Sequence, residues 1–359
     1  MLLIFCLASF AYIVLSEPLN NQITAKLLFY SLGKLMGLIG FFLLSVLIIS
    51  GDTARFLDRF FGIDRIIKFQ RKFSLIIIIF IMAHPLFFII SSRHYSNYLI
   101  PNFALLPFAL GTIAFYIYII VIVSSLLYKR VSYKTWQYLH ILTYILFFFG
   151  LYHAIYAGSD TSSIIVKSVF GALLLLILIG IIYRTNYKIK QKSFKCHVKE
   201  IKWENSDIFT LKLKPNKKLY FKAGQFCFLR INKDRLYARH PFTISSAPHE
   251  NTLNFTIKSA GKFTEITSQL KNDEEVIIEG PFGLFTIKEK NNLVFIAGGV
   301  GITPFISMIK DSLHSGEKQD IALLYCVKTK DDIIFKNELD KIKDNWFKKI
   351  YVLSQEKII

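Results

Sequence analysis

Hydrophobic and polar positions divide the chain near Arg184. Before it, apolar residues come in runs long enough to cross a bilayer, which takes about 17–25 residues. After it they alternate with polar residues at the spacing of strands. The long runs are Phe73–Ile90, Phe103–Tyr128, Tyr138–Ala157 and Ile164–Tyr183, with Leu32–Ser50 joining them if the amine of Lys34 snorkels to one end. Leu2–Ser16 is shorter; it lacks the basic start and A-x-A site of a secretory leader, so it reads as a first span. The expectation is a six-helix transmembrane bundle over residues 1–190.

Charge orients this bundle. The 359 residues are 53% hydrophobic and carry a formal net charge of +19. Such a surplus suits nucleic acid or the cytoplasmic face of a membrane, and its placement decides. Arg55, Arg59, Arg65, Lys68, Arg71 and Lys72 follow the second span; Lys129, Arg130 and Lys134 follow the fourth; Arg184, Lys188, Lys190, Lys192 and Lys195 follow the sixth. The alternate loops hold only Lys26, Arg93 and Lys167. The reading is a multi-pass integral membrane protein in the lipid bilayer with both termini cytoplasmic, and no nucleic acid partner. Ala54–Phe69 mixes Arg with Phe and Ile at helical spacing and reads as an interfacial helix on the inner leaflet. Cys6, Cys196, Cys227 and Cys326 form no C-x-x-C pair and read as reduced core residues.

Three of the eight histidines, His84, His140 and His153, lie inside spans. An ionisable group at membrane depth is costly and marks function, and neutral imidazole is a common axial ligand of haem iron; the bland alternative is a histidine hydrogen-bonded across helices. His140 and His153 share span five, thirteen residues or about 20 Å apart, an offset suited to two stacked haems. That spacing also turns them about 140° from each other around a straight helix. His84, in the outer part of span three, matches the depth of His153, so these two form the candidate bis-histidine pair for an outer haem. An inner partner on span three would fall at Gln70, a poor ligand. His94 reads as a solvated loop residue, and His197, His249 and His314 as surface residues.

Beyond the basic exit, Phe194–Trp203, Ile208–Leu213, Phe226–Ile231, Leu253–Lys258 and Glu275–Glu279 read as the strands of a small antiparallel barrel. Within it lie R-H-P-F-T-I-S-S from Arg239, I-K-S-A-G-K-F-T from Ile257 and G-P-F-G from Gly280. A flavin needs an apolar slot, groups for its ring nitrogens and donors for its pyrophosphate. The first motif supplies an aromatic, a hydroxyl and strand backbone. In the second, Gly261 permits close approach, and Thr264 is placed to cap a helix over Glu265–Leu270 whose start attracts phosphate.

Next comes a short apolar strand, Leu293–Ala297, then G-G-V-G-I-T-P from Gly298 to Pro304, then a helical run to about His314. Strand, glycine turn and helix start make a phosphate cradle. A strand at Ile321–Val327, a helix at Ile333–Ile342 and a strand at Lys349–Leu353 complete an alternating pattern, hence a parallel sheet.

F-K-A-G-Q-F at Phe221–Phe226, H-P-F-T at His240–Thr243, the G-G-V-G-I-T-P loop, and six spans with histidines on the third and fifth resemble the NADPH oxidase and ferric reductase family. That resemblance covers nearly the whole chain. It implies a transmembrane haem bundle, a β-barrel FAD domain over 191–290 and an α/β NAD(P)H-binding lobe over 291–359. It implies that His240, Pro241, Phe242 and Thr243 hold the flavin ring and ribityl chain, and that Lys258, Gly261, Phe263 and Thr264 hold its ribityl and diphosphate part. Gly298, Gly299, Gly301, Ile302, Thr303 and Pro304 would receive the nucleotide pyrophosphate, with Lys328 a candidate contact for a 2′-phosphate. Relatives continue into a further α/β half with a C-G-P turn and a terminal aromatic, so the nucleotide lobe is expected to be truncated. The implied activity passes electrons from NAD(P)H through FAD to haem b, one or two per chain, and on to an outer-face acceptor, oxygen or ferric iron. Two alternatives stay open: one outer haem reduced directly by FAD, or a truncated, non-catalytic membrane subunit. The residues name no partner subunit.

Overall fold

Apolar runs bounded by polar caps set the helices of the first half. The structure, a computed structural model, describes residues 8–12, 14, 24–127, 130–131, 133–191, 195–231, 239–287, 292–316 and 319–355. It divides into two units, one of 1–57 with 64–186 and one of 58–63 with 187–359.

In the first unit, helix α1 (Ala25–Asp52) starts at Thr24, whose hydroxyl accepts the Leu27 N–H at 3.2 Å, the usual N-cap arrangement. Helix α2 (Ala54–Phe61) stops at Gly62, and α3 (Ile63–Ser92) begins at once. The single interfacial helix expected over Ala54–Phe69 is therefore broken in two, and its second part is about the first two turns of a membrane-length helix. Gly62 takes φ 80°, which a residue with a Cβ resists, and the Asp58 carboxylate accepts the Ile63 N–H at 2.7 Å to start the new helix. Then come α4 (Ser96–Leu99), α5 (Leu106–Leu126), α6 (Tyr133–Ala157) and α7 (Ile164–Gln191).

Among the described residues, five helices are long and apolar enough to cross a membrane: Ala25–Asp52, Ile63–Ser92, Phe103–Leu126, Thr135–Ala157 and Ile164–Tyr187. The first expected span, Leu2–Ser16, and Cys6 lie largely or wholly outside the described residues; of that span, Phe10 and Val14 are buried against the bundle core. Lys34 does not snorkel freely. Its amine is buried, 3.0 Å from Asp160 and 3.1 Å from the Ser159 hydroxyl in the segment joining α6 to α7, because a buried ammonium needs a counter-charge. Helix α3 is the least enclosed, with only 6% of its apolar window buried, so most of its surface is left for lipid or for a group lying against it.

In the second unit, alternation builds an antiparallel sheet of β1 (Lys195–Trp203), β2 (Ile208–Pro215), β3 (Phe226–Ile231), β4 (His240–Thr243), β5 (Leu253–Lys258) and β6 (Glu275–Phe282). Their order is β4-β3-β6-β1-β2-β5, and a bridge between Ile244 and Phe255 brings the two ends of the sheet together, so it curls. Phe194, expected to open the first strand, lies outside the described residues. The core is Val198, Leu211, Leu229, Phe255 and their neighbours. Helix α8 (Lys262–Ser268) starts earlier than the Glu265–Leu270 expected, with Gly261 as its cap.

A parallel sheet follows, β7 (Asn292–Gly298), β8 (Asp320–Val327) and β9 (Phe347–Leu353) in that order, with α9 (Thr303–Ser315) between the first two strands. The helix expected over Ile333–Ile342 contracts to α10 (Lys336–Lys341). Asp332 accepts from the Thr329 N–H at 3.0 Å and hydroxyl at 2.9 Å, closing a tight turn upstream of it. The Ser307 hydroxyl of α9 donates to the Ser246 carbonyl at 2.6 Å and fastens the two lobes of this unit together.

Candidate functional site

Within the bundle, α3 and α6 bring His84 and His153 together, their ring centroids 6.1 Å apart and their planes nearly perpendicular at 79°. Each Nδ1 lies against a backbone carbonyl: Gly33 at 2.8 Å for His84 and Pro107 at 3.0 Å for His153. A carbonyl can only accept, so both Nδ1 atoms carry the proton and both Nε2 atoms keep a free lone pair. A separation of this size would leave room for one metal ion with bonds of about 2 Å to each imidazole. The rings fit so closely because the residues behind them lack side chains. A Cβ on Gly37 would stand 2.5 Å from His84 Nδ1, and one on Gly111 would collide with the ring of His153. Sequence reasoning found both histidines and missed both glycines, although Gly33-x-x-x-Gly37 carries a known signal for close helix approach.

His140 is not part of that pair. It is exposed and stacks on Trp136 one turn earlier, with centroids 4.8 Å apart. A polar cluster missed by the sequence reading joins α1, α6 and α7. The Tyr144 hydroxyl donates to Asp52 Oδ1 at 2.5 Å, and Arg184 Nη1 donates to the same oxygen at 3.0 Å and to the tyrosine oxygen at 2.9 Å. At the other end of the bundle, a cavity of about 620 Å³ lies under the α4 loop, lined by uncharged residues including Ser96, Tyr98, Asn102 and Phe108. Phe108 is 6.1 Å from the His153 ring, and Tyr98 stacks on Phe88, which meets the His84 ring edge-on.

In the barrel, His240 stacks on Phe263 at 3.9 Å, and Phe242 lies parallel to the same ring at 5.9 Å. Burial lowers the pKa of His240, so its imidazole is held neutral. Pro241 and Thr243 pair with Phe228 and Phe226 on β3. The Thr264 hydroxyl accepts from the N–H groups of Ala260 and Gly261 at 2.9 and 3.1 Å, so it fixes the turn rather than offering itself outward. A Cβ on Gly261 would meet nothing within 4 Å, which leaves open space above the turn. Lys258 is tied to Asp207 at 2.9 Å, and that bond raises its pKa. Cys196 and Cys227 are buried free thiols, and burial pushes Cys196 up to about 12 and Cys227 higher, so both stay protonated and inert.

Arg239 clamps Glu279 through one guanidinium nitrogen at 2.9 and 2.8 Å and lies over the Phe228 ring. Glu279 is nearly buried and Arg239 about a third exposed. Glu279→Ala is expected to lower stability by about 1–3 kcal/mol, a buried-pair loss reduced by solvent at the arginine. FAD fluorescence released on heating should then rise at a lower temperature than in the parent; an unchanged transition counts against the clamp.

In the nucleotide lobe, β7 ends at Gly298, the single turn Gly299–Ile302 follows, and Thr303-Pro304 opens α9. Gly299 takes φ 50°, and Cβ atoms on Gly298, Gly299 or Gly301 would meet nothing within 4 Å. The loop is thus a concave run of bare backbone at a helix start, the arrangement that receives phosphate.

These features define a helical unit with membrane-length helices joined to a curled antiparallel sheet and a parallel-sheet lobe with a glycine-rich loop. A ferric reductase like transmembrane component is matched over residues 36–151, an FAD-binding domain over 193–286 and an oxidoreductase NAD-binding domain over 295–357. The chain belongs to the family in which a ferric-reductase-like membrane component is fused to such reductase domains. Ferric reduction oxidase 5 of Arabidopsis thaliana is 26% identical over 62% of this chain and 31% of its own length. A flavodoxin/ferredoxin–NADP reductase of Buchnera aphidicola is 30% identical over 45% of this chain and 68% of its own. The sulfhydrogenase 2 gamma subunit of Pyrococcus furiosus is 29% identical over 41% and 53%. The chain thus spans about half the length of that subunit and less than a third of the plant oxidase. Among solved structures, a ferredoxin-NADP+ reductase from Plasmodium falciparum matches 46% of this chain and 72% of its own with a TM-score of 0.42 and 24% identity.

Proposed function

We propose that this protein oxidises NAD(P)H on one side of the membrane and delivers the electrons singly to an acceptor on the outer side, oxygen or ferric iron. FAD, when bound, converts a two-electron hydride into single electrons, and haem b carries them one at a time within the bilayer. The observation that carries this reading is the adjacent imidazole pair, His84 and His153, on two different membrane helices. Their Nε2 atoms would hold the iron, and the Gly33 and Pro107 carbonyls would keep the tautomer that makes this ligation feasible. Gly37 and Gly111 would let both rings stand close to their helices.

On the cytoplasmic side, His240, Pro241, Phe242 and Thr243 would present strand backbone and aromatic surface to the flavin. Gly261 and Phe263 would leave room for and flank its ribityl and diphosphate part, with Thr264 holding the turn in shape. Lys258 would reach that diphosphate only by leaving Asp207. Gly298, Gly299 and Gly301 would admit the nucleotide pyrophosphate, with Ile302, Thr303 and Pro304 setting the helix start that faces it. The domain limits that go with this reading are 1–190, 191–290 and 291–359, with both termini cytoplasmic. The uncharged cavity under the α4 loop is where an acceptor would approach the imidazole pair.

Anaerobic mixing of the purified protein with NADPH or NADH tests the reading: reduced haem bands are expected within the dead time of manual mixing. Gly301→Val points a side chain into space that the protein itself leaves open, so it should raise KM for the nucleotide about tenfold, roughly 1.4 kcal/mol, and leave the dithionite-reduced spectrum unchanged. If dithionite reduces the haem and neither nucleotide does, the proposal fails.

A further inference from the structure

The G-P-F-G motif that closes β6 ends on Gly283, whose backbone N–H has a partner 225 residues away in sequence. It donates to both carboxylate oxygens of Asp58, at 3.3 Å to Oδ1 and 3.2 Å to Oδ2. Asp58 lies on α2, and its Oδ1 also accepts the Ile63 N–H that starts α3. Residues 58–63 belong to the same unit as the barrel, although Leu57 before them and Asp64 after them belong to the bundle. The chain therefore joins the flavin lobe for six residues on its way from α1 to α3, and the Asp58 carboxylate fastens it there.

Asp58 is only 6% exposed. A buried carboxylate is costly unless its oxygens are hydrogen-bonded, and bonds to an ionised acceptor are about twice as strong as neutral ones. Starting α3 takes one acceptor atom, which Ser or Asn would supply as well. The second oxygen serves Gly283, so the barrel rather than the helix explains the choice of a carboxylate. From Gly283 the connection runs on into the residues read as the flavin site. Its carbonyl accepts Gln225 Nε2 at 3.0 Å, and the Gln225 carbonyl accepts the N–H of Ile244, directly after His240–Thr243, at 3.0 Å. Phe226 pairs with Thr243 across β3 and β4, and a Cβ on Gly283 would press on the Phe226 ring at 3.1 Å. F-K-A-G-Q-F, H-P-F-T and G-P-F-G thus form one hydrogen-bonded piece, and Asp58 attaches it to the start of the helix that carries His84.

We propose that Asp58 is a positioning residue for electron transfer from flavin to haem: through Gly283 it holds the flavin-bearing strands to the start of α3. It acts through backbone geometry, by limiting how far the flavin can drift while an electron crosses. This rests on the reading of FAD as donor to a haem held by His84 and His153, and it adds the residue that keeps donor and acceptor in register.

The test uses the full-length protein in detergent, mixed anaerobically with NADPH or NADH, whichever bleaches the flavin, while flavin bleaching and reduced haem bands are followed in the same stopped-flow run. Asp58→Asn keeps the size of the side chain and one acceptor oxygen for Ile63, but its amide nitrogen cannot accept the Gly283 N–H. Flavin bleaching and the FAD and haem contents should match the parent. Haem reduction should slow at least about tenfold, because a misplacement of about 1 Å at a reacting pair can cost about a hundredfold. Asp58→Ala should show the same split. Asp64→Asn, which removes an exposed carboxylate from the first turn of α3, is the control and should leave both rates unchanged. Hydrogen exchange at the Gly283 amide should quicken in Asp58→Asn; unchanged exchange, or haem reduction at the parent's rate despite quickened exchange, would overturn the positioning role. Flavin bleaching slowed as much as haem reduction, or FAD lost on purification, would make Asp58 a residue of barrel stability alone and overturn it too. A parent protein whose flavin is bleached by the nucleotide and whose haem is never reduced would sink the electron route itself, and this inference with it.

Discussion

Alanine at Gly111 is expected to strip the proposed outer haem as thoroughly as alanine at His153. The new Cβ would stand 2.7 Å from His153 Cγ and 2.8 Å from Cε1, distances that real Cβ atoms do not adopt. The ring cannot swing aside cheaply, because its Nδ1–H is bound to the Pro107 carbonyl at 3.0 Å and Phe108 packs against it. Overpacking of this kind costs about 1–3 kcal/mol, and here the strain falls on the ligand itself. A shift that breaks the 6.1 Å approach of the two rings removes the geometry needed to hold one iron between them. Gly37→Ala should act in the same way through His84, whose Nδ1 would be 2.5 Å from the added carbon. Gly171→Ala is the control: its Cβ meets nothing within 4 Å and alanine favours a helix interior, so haem content should match the parent and the melting temperature should not fall. Pyridine haemochrome content and the low-spin absorption bands are the readouts. A Gly111→Ala protein with full haem and an unaltered spectrum would show that His153 is not held as described.

Asp52→Ala is expected to destabilise the bundle more than any other polar substitution proposed for it. The Asp52 side chain is 2% exposed, and its Oδ1 takes both the Tyr144 hydroxyl and the Arg184 guanidinium. Removing the carboxylate leaves a guanidinium without its counter-charge near the end of a membrane-length helix. Breaking a fully buried pair costs about 3–5 kcal/mol; Arg184 is 33% exposed and recovers part of that from solvent, so a loss of about 2–4 kcal/mol is expected. Thermal unfolding in detergent reads it as a lowered midpoint. The double substitution Asp52→Ala with Arg184→Met removes both charges and should regain a good part of the loss, which is the signature of a pair rather than of two independent contacts. If the double variant melts no higher than Asp52→Ala, the pair is not what holds α1, α6 and α7 together.

Parts of this protein could be read directly from its residues because their physical causes are local. A bilayer imposes its thickness on any helix that crosses it, so run length located the five described spans, three of them closely. Ala25–Asp52 and Ile63–Ser92 begin well before the expected Leu32 and Phe73, because polar first turns extend these helices beyond their apolar runs. The flavin and nucleotide strands were found because a half-buried strand must alternate, and β3 and β5 have the ends expected of them. Local reasoning went wrong where a single residue overrode a pattern. Gly62 cut the amphipathic stretch Ala54–Phe69 in two, and the turn closed by Thr329 and Asp332 shortened α10.

The sequence by itself determined which residue types stand at each depth: three histidines in apolar helices, glycines at close spacing on α1, and bare glycine loops after strands. Only the tertiary structure decided that His84 and His153 share one gap, that Gly37 and Gly111 back them, that Gln70 is tied to Ser50, and that Asp52 meets Arg184. Periodicity fixes which way a residue points from its own helix. It is silent on which distant helix will pack there, because that choice minimises the burial and pairing cost of the whole bundle at once.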